Sequence, residues 1–401
     1  MAGHYYFIKN LLGYFPKGQL MSKPKIAIVH DWLYGGGAEK VIQELHRLYP
    51  EAPIYTSFCT DEWRRKLDNQ VVTGYLQRWP FAKLRRFLPL LRQWWFARLD
   101  LGQYDIILSS SGNGEAKFAR KSRPEQLHIC YCHTPTHFYW RHYKEYLARP
   151  SFRPKWLARL GLKLLVRPLK KRDCQAAQAV DIFMANSSGI QADIQEFYGR
   201  DSEVVFPPVS INYFTNLAKK RQQKNIIPRQ PRVVSWGRIV PMKRLDLVIV
   251  ACEQLGWQLD IMGSGPDVER LQQLAGPHTN LLGYVSDEDR ERYVKEADLF
   301  IFASHEDFGI APVEALAAGI PVVAYQAGGA LDYIKPEKNG WFFSEQTAEQ
   351  LIKTLKELPG KKVSPVKISA TANEFSAAIF RKSMKNIVEK SWKEYSHENR
   401  H

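Results

Sequence analysis

Short apolar runs recur along the first half of the chain, and several are followed by segments with helical spacing. These runs cover residues 25–29, 104–109, 128–132 and 181–185. Continuous apolar runs are typical of parallel strands that are covered on both faces. Their alternation with helical segments predicts an α/β fold built on parallel sheets.

The second half repeats this pattern after a proline pair at Pro207-Pro208. Pro-rich segments commonly mark linkers, so we place a domain boundary here. A strand is predicted over 204–209, the run that contains the two prolines. The further predicted strands of this half are 232–236, 258–262, 280–285, 298–302 and 321–325. Predicted helices cover 345–358 and 373–395. The predicted organisation is an N-terminal extension (1–20), two domains (21–206 and 207–372) and a terminal segment (373–401).

One stretch, residues 305–325, carries a pattern typical of a binding site. Pro312 suits the first turn of a helix and Gly319 its end. Glu306 then lies in the loop before the helix, and Glu314 in its first turn. Free N–H groups at a helix start attract phosphate, and carboxylates accept hydrogen bonds from hydroxyls. The combination suits a nucleotide sugar. For either Glu alone the preferred explanation is structural: Glu314 would complement the helix dipole, and Glu306 would be a solvated loop residue.

Two further turns have phosphate-binding character. Gly35-Gly36-Gly37 follows the first strand, where exposed N–H groups can meet phosphate, although a merely flexible turn is nearly as good an explanation. Asp31 could cap this loop. Arg238 and Lys243 lie in a strand-to-helix turn, where two cations suit a diphosphate. The alternative is a solvated basic turn.

His133 follows the run 128–132, and Pro135 ends the strand soon after it. The carboxyl end of a strand is where open α/β sheets place their ligands. A single histidine is usually structural, so the position alone leaves its role open.

Together these motifs resemble the family 4 retaining glycosyltransferases. The pair Glu306 and Glu314 matches that family's E-x7-E signature, and the turn 237–243 matches its G-R-x-x-x-x-K sequence. The resemblance implies the GT-B fold, in which two Rossmann-like, doubly wound α/β domains face each other across a cleft. It also implies that the N-terminal domain binds the acceptor, that the C-terminal domain binds the nucleotide sugar, and that the last helix returns to the first domain.

The same resemblance assigns roles to individual residues. It implies that Glu306 and His133 meet the donor sugar, that Glu314 binds the ribose, and that Arg238 and Lys243 bind the phosphates. We count Glu306, His133, Arg238 and Lys243 as the candidate catalytic residues. The expected donor-binding positions are Gly36, Gly37, Gly263, Val285, Phe308, Gly309, Ile310 and Glu314.

No metal and no cofactor is expected. Asp287-Glu288-Asp289 has the D-x-D spacing of a metal motif known from a different glycosyltransferase fold. Here it follows Ser286 at a helix start, where capping and dipole compensation explain it. Arg238 and Lys243 supply the positive charge that a metal would otherwise provide.

The net charge of +16 predicts an anionic partner. Residues 78–98 contain six Lys or Arg and residues 149–172 contain nine, with apolar residues interleaved and no acid in either stretch. Both stretches fit docking to an anionic membrane surface, and an ordinary charged exterior is the alternative. Nucleic acid ranks third because no recognition motif is present. The predicted membrane contacts are Arg85, Arg86, Arg92, Trp94 and Trp95.

No run of 18 apolar residues occurs, and the start of the chain lacks a signal-peptide pattern. The five cysteines have no framework spacing, which favours a reducing compartment. We therefore expect a cytoplasmic protein that is peripheral on the cytoplasmic face of the membrane.

The predicted function is transfer of a hexose from a nucleotide sugar to a lipid-linked saccharide in cell-surface polysaccharide synthesis. The opening motif H-D-W-L-x-G-G-G-A-E-K makes GDP-mannose the expected donor. This motif resembles bacterial mannosyltransferases of polysaccharide assembly. Two alternatives stay open: a nucleotide-sugar epimerase of GT-B fold, and a non-catalytic binder of membrane or nucleic acid. The oligomeric state is left open.

Overall fold

The computed structural model describes residues 23–84, 88–136, 138–141, 143–148, 154–221 and 224–398. The predicted extension, residues 1–20, lies outside this set, as do Arg85 and Arg86. Within the described part of the chain, no helix combines the length and apolar character needed to cross a bilayer. All five cysteines are free thiols.

The N-terminal domain is built on a seven-stranded sheet whose paired strands are all parallel. Its strands are β1 (Ile26–His30), β2 (Ile54–Thr56), β3 (Val71–Thr73), β4 (Ile106–Ser111), β5 (Leu127–Cys132), β6 (Ile182–Ala185) and β7 (Ser202–Val204). Its helices are α1 (Gly37–Leu48), α2 (Asp61–Lys66), α3 (Phe81–Leu84), α4 (Pro89–Phe96), α5 (Tyr143–Ala148), α6 (Lys155–Gln178) and α7 (Ser188–Tyr198). Short 3-10 helices cover Tyr75–Gln77 and Ala116–Phe118.

The C-terminal domain has a six-stranded sheet, also parallel throughout its described pairs. Its strands are β8 (Val233–Trp236), β9 (Leu259–Met262), β10 (Thr279–Gly283), β11 (Leu299–Phe302), β12 (Val322–Tyr325) and β13 (Gly340–Phe343). The helices are α8 (Ile211–Lys220), α9 (Leu245–Leu255), α10 (Val268–Gln272), α11 (Asp287–Glu296), α12 (Ile310–Ala317), α13 (Ala330–Tyr333), α14 (Ala348–Lys356), α15 (Pro365–Ala370) and α16 (Ala377–Glu398). Short 3-10 helices cover Pro241–Lys243 and Asn373–Phe375.

The strand orders locate where each sheet can hold a ligand. They are 3-2-1-4-5-6-7 in the first sheet and 10-9-8-11-12-13 in the second. In each sheet the order reverses between its first and fourth strands, which are β1 and β4 in one and β8 and β11 in the other. A doubly wound sheet opens a crevice at the carboxyl ends of the strands beside such a reversal.

The strand predicted over 204–209 is wrong. β7 ends at Val204, and the chain then leaves the sheet. Pro207 and Pro208 lack the N–H groups that a sheet ladder needs, so they cannot extend the strand. Val205 packs in the core of the first domain and Val209 in that of the second.

The last helix, α16, returns to the N-terminal domain. Phe380, Met384 and Val388 are buried in the N-terminal core, where the ring of Phe380 lies 5.8 Å from that of Tyr131 in β5. Arg381 also pairs with Glu44 of α1. The end of the chain therefore completes the core of the domain in which the chain begins.

Other contacts join the two domains directly. Asp332 of α13 accepts a hydrogen bond from the backbone N–H of Ser188 at the start of α7, at 3.0 Å. Arg141 lies 2.5 Å from Asp193 in its own domain and 3.7 Å from Asp307 in the other. These contacts hold the carboxyl edges of the two sheets close together.

Asp31 organises the first reversal point. Its carboxylate is buried and accepts hydrogen bonds from the backbone N–H groups of Gly112, Asn113, Glu115 and Ala116, at 2.7, 2.5, 3.1 and 2.6 Å. It therefore ties the end of β1 to the loop after β4. The prediction that Asp31 caps the Gly-rich loop is wrong, because both oxygens of its carboxylate bind the loop after β4.

Replacing Met384 by Ala should lower the free energy of unfolding by about 2–5 kcal/mol, because it opens a cavity in the N-terminal core. Ile379→Ala is the matched control on the same helix, since Ile379 is 43% exposed. We expect a change within about 0.5 kcal/mol for the control. Chemical denaturation measures both, and equal effects would show that α16 does not complete this core.

Asp31→Asn should destabilise the protein by about 2–4 kcal/mol, because an amide NH2 cannot accept the two N–H groups that face one carboxylate oxygen. Asp100→Asn, at an exposed position, should change stability by less than about 0.5 kcal/mol. Thermal unfolding of the two variants compares them. A wild-type melting curve for Asp31→Asn would exclude the anchoring role.

Candidate active site in the interdomain cleft

A cleft of about 660 Å3 lies between the carboxyl edges of the two sheets. The N-terminal domain contributes the segment after β1, the start of α1 and the ends of β4 and β5. The C-terminal domain contributes the turn after β8 and the loop that leads into α12. Predicted site residues that line it are Gly36, Gly37, His133, Arg238, Lys243, Glu306, Phe308, Gly309, Ile310 and Glu314.

Glu306 and Lys243 form an ion pair on the C-terminal wall of the cleft. Ser304 Oγ lies 3.1 Å from Glu306 Oε1 and 3.0 Å from the carbonyl oxygen of Met242, so its hydroxyl donates to one of these acceptors at a time. The loop after β11 and the turn after β8 are thereby joined where their charged residues meet. A carboxylate and an ammonium group thus face the cleft side by side.

Arg238 supplies a second cation beside this pair. Its side chain is exposed and lines the cleft. Among the described residues, no carboxylate lies within ion-pair distance of it. This guanidinium is therefore available to an anionic ligand, and a planar fork suits a phosphate group.

Glu314 lies deeper in the cleft. Its Oε2 accepts a hydrogen bond from the indole Nε1 of Trp236 at 3.0 Å, and its Oε1 lies 3.4 Å from Lys40 Nζ. Lys40 belongs to α1, so this contact crosses from one domain to the other. The prediction that Glu314 occupies the first helical turn is wrong, because α12 begins at Ile310 and places Glu314 one turn further in.

Gly309 precedes α12 with φ +96°, a conformation that favours glycine. A Cβ here would lie 2.8 Å from the Tyr333 hydroxyl and 3.1 Å from the Phe302 ring. Phe308 is buried against Phe206, Tyr333 and Phe375 and fixes the loop from below. Glycine at position 309 therefore lets the loop pack closely on Tyr333 and Phe302, while the start of α12 lines the cleft.

The Gly-rich turn meets α12 from the opposite wall. Gly36 and Gly37 form the start of α1, and a Cβ on Gly37 would lie 3.1 Å from Ile310 Cδ1. Glu39 turns back and accepts a hydrogen bond from the N–H of Gly35 at 3.0 Å. Glycine at position 37 thus lets the two helix starts approach each other.

His133 lies at the end of β5, in the floor of the cleft. Its Nε2 is 2.8 Å from Ser110 Oγ. Burial, together with the nearby ring of His30, lowers the pKa of His133 to about 3. The imidazole is therefore neutral at physiological pH and can exchange hydrogen bonds with a sugar without carrying charge.

Gly263 and Val285 do not line the cleft. Gly263 supports the turn after β8 from beneath, since a Cβ there would lie 1.9 Å from the carbonyl oxygen of Gly237. Val285 packs partly buried at the edge of the C-terminal core. The structure shows close packing at Gly263. Both Gly263 and Val285 stay predictions as donor contacts.

Lys40, Trp236 and Ser304 were not selected from the sequence. Trp236 is the last residue of β8 and Ser304 follows β11 closely, so the strand-end rule could have marked both. Lys40 has no such signal, because its partner Glu314 lies 274 residues away.

The predicted membrane contacts require a correction. Arg92 and Trp95 are buried, at 3% and 9% exposure. Arg92 pairs with Glu115 at 2.5 Å and lies 4.6 Å from the Trp32 ring, while burial raises the pKa of Glu115 to about 7. These two side chains therefore pack inside the protein and cannot contact a membrane. Trp94 is 46% exposed, and Arg85 and Arg86 lie outside the described residues.

In the described ranges, no group of three or more His, Cys, Asp or Glu side chains is arranged to hold a metal ion. The D-x-D segment starts α11, where Ser286 Oγ accepts the N–H of Asp289 at 3.1 Å. The predicted cap at Ser286 is confirmed.

Solved structures of the same architecture exist. HepE from Anabaena, crystallised with UDP and glucose, superposes with a TM-score of 0.63 over 92% of this chain and 100% of its own, at 18% identity. Sucrose-phosphate synthase from Thermosynechococcus elongatus gives a TM-score of 0.66 over 92% and 99%, at 16% identity. Together with the two parallel sheets, these matches confirm the predicted GT-B fold.

Two curated relatives are mannosyltransferases by name. The GDP-mannose-dependent alpha-(1-6)-phosphatidylinositol monomannoside mannosyltransferase of Mycobacterium tuberculosis is 28% identical over 170 residues, which is 38% of this chain and 44% of that enzyme. The alpha-1,3/1,6-mannosyltransferase alg2 of Schizosaccharomyces pombe is 23% identical over 375 residues, or 79% and 70%. The chain thus spans less than half the length of the first of these relatives.

Two family models match consecutive parts of the chain. Residues 35–213 match Glycosyltransferase Family 4, and residues 217–374 match Glycosyl transferases group 1. The first match covers the N-terminal domain from its Gly-rich turn onward, and the second covers the basic turn and both glutamates. With its GT-B fold and its cleft between the sheet edges, the chain belongs to the family 4 glycosyltransferases.

Proposed function

We propose that this protein transfers mannose, with retention of configuration, from GDP-mannose to a lipid-linked saccharide during synthesis of a cell-surface polysaccharide. The observation that carries the proposal is the convergence of Arg238, Lys243, Glu306 and Glu314 on one wall of the cleft. We further propose that it works at the cytoplasmic face of a membrane, on an acceptor held by the N-terminal domain.

The donor fits this wall in one orientation. Arg238, Lys243 and the start of α12 offer positive charge to the diphosphate, and Glu314 offers a carboxylate to the ribose. Glu306 then lies on the sugar side. Because Lys243 already pairs with Glu306, a bound diphosphate would compete for Lys243 and leave Glu306 to the sugar hydroxyls.

The reaction breaks the bond between the sugar anomeric carbon and the phosphate oxygen, and forms a bond from the acceptor oxygen on the same face. The acceptor proton passes to the departing phosphate oxygen. Charge develops on the diphosphate as this happens, and the fixed cations of the basic turn stabilise it. Neutral His133 lies across the cleft, where it can hold a donor hydroxyl.

The choice of mannose rests on the sequence of the opening motif and on the names of the two mannosyltransferases. HepE was crystallised with UDP and glucose, so UDP-glucose is the competing donor in the experiment that follows.

Thermal unfolding in a panel of nucleotide sugars tests the donor, because a ligand that binds only the folded protein raises its melting temperature. We expect the largest increase with GDP-mannose. The product of transfer to a lipid-linked saccharide, followed by NMR, should then show an α-linked mannose. Conversion of the donor to another sugar nucleotide without any acceptor would instead identify an epimerase.

Arg238→Ala and Lys243→Ala should each remove about 2–4 kcal/mol of transition-state stabilisation, measured from kcat/KM. Lys361→Ala is the control: this lysine pairs with Glu337 on the surface of the same domain. It should leave kcat/KM unchanged. Wild-type rates in both cleft variants would place the donor phosphates elsewhere.

Glu314→Gln should chiefly weaken nucleotide binding, because the amide no longer attracts Lys40 and presents only one acceptor oxygen to ribose. Glu306→Gln should chiefly slow transfer, since Glu306 faces the sugar. Calorimetry with the free nucleoside diphosphate separates the two variants. An equal loss of nucleotide affinity in both would contradict these separate roles.

A further inference from the structure

The start of α6 extends beyond the body of the N-terminal domain. The helix has 24 residues, or about 36 Å, whereas β5 has 6 residues, or about 20 Å. Because α6 connects β5 to the parallel strand β6, it runs antiparallel to both, and it ends just before β6 begins. Its excess length therefore lies at its N-terminus, past the carboxyl edge of the sheet. We call residues 155–165 the α6 arm.

Burial changes sharply along the helix. Val166, Leu169, Asp173 and Ala177 are buried against the domain. In the α6 arm, by contrast, large apolar side chains are exposed: Trp156 65%, Leu157 45%, Leu160 47%, Leu164 67% and Leu165 48%. Contiguous exposed apolar side chains of this kind mark an interaction surface.

These apolar side chains point away from the protein. Leu164 and the buried Val166 are two residues apart, which places them about 200° apart around the helix. Leu160 and Trp156 lie four and eight residues before Leu164 and so share its face. The outermost surface of the α6 arm is therefore apolar.

Cations border this apolar face. Lys163 and Arg167 are exposed on this flank, and no acidic residue precedes Asp173 in the helix. Arg159 donates hydrogen bonds to the carbonyl oxygens of Leu147 and Ala148, which ties the arm to α5. The arm thus combines an apolar outer face, a basic flank and a tryptophan near its free end.

We propose that the α6 arm is the surface by which the N-terminal domain docks onto an anionic bilayer. Apolar residues on the outer face suit insertion at the headgroup boundary, and the basic flank suits anionic lipid. The docking element is then α6 and not α4, because Arg92 and Trp95 of α4 are buried.

The position of the α6 arm would place a membrane-borne acceptor near the cleft. It lies at the same edge of the sheet as the acceptor side of the cleft, because helix starts and strand ends share that edge. Docking there would bring a membrane-borne acceptor beside His133 and the Gly-rich turn. This placement rests on the proposed function, but the docking itself does not.

Sedimentation with vesicles tests the proposal. We expect the protein to bind vesicles of phosphatidylglycerol and phosphatidylcholine, and to bind much less to pure phosphatidylcholine. Leu160→Glu and Leu164→Glu should each weaken binding on the order of tenfold or more, since each places a charge at the inserted face. Leu274→Glu is the matched control, because Leu274 is 42% exposed but lies in the other domain.

Two results would overturn the proposal. One is wild-type protein that ignores the anionic vesicles at low salt. The other is a change of oligomeric state in Leu164→Glu, measured by sedimentation velocity, with vesicle binding intact, since the face would then be a contact between proteins. Calorimetry with nucleoside diphosphates runs in parallel on the same variants. If the wild-type protein binds vesicles but neither binds nucleotide nor transfers sugar, the proposed enzymatic function is rejected and the docking proposal stands.

Discussion

The buried carboxylate of Asp31 is the interaction on which the N-terminal half of the cleft depends. It accepts four backbone N–H groups from the loop after β4, and so fixes that loop to the end of β1. A buried charge is tolerated only when its hydrogen-bonding capacity is filled in this way. Once the loop is fixed, the ends of β4 and β5, the start of α1 and His133 all face the same space.

A second buried carboxylate supports the same loop from behind. Asp173 accepts hydrogen bonds from Lys117, Thr136, Trp140 and Tyr198, at 2.7, 2.8, 2.8 and 2.7 Å. Lys117 in turn reaches the carbonyl oxygen of Gly114 at 3.1 Å. The loop is therefore held by one anion in front and by an ion pair behind, and neither residue needs to touch a ligand to shape the site.

The sequence predicted the fold and most of the C-terminal wall, because the relevant residues are close together in the chain. Arg238 and Lys243 share one turn, and Glu306 and Glu314 share one loop and helix. Pairing across long separations was not predictable, as Lys40 with Glu314 shows. The strands β2 and β3 have only three residues each, too few to show periodicity.

The prediction of Arg92 and Trp95 as membrane contacts was wrong for a related reason. Composition does not reveal which side of a helix is buried, and Arg92 finds its partner Glu115 on a separate element. For the same reason, composition could not show that Leu164 points outward. Its direction follows only from the burial of Val166.

The hydrogen bond between Asp332 and the Ser188 amide makes opening of the cleft measurable. Because this carboxylate accepts the Ser188 N–H from the opposite domain, separation of the two sheets would break this hydrogen bond and free the amide for exchange. Hydrogen exchange at that amide would then report the opening of the cleft. If the cleft recloses faster than the amide exchanges, the rate gives the open fraction; if it recloses more slowly, the rate equals the opening rate, whose reciprocal is the lifetime of the closed form. A single backbone position thus converts domain motion into a measurable rate.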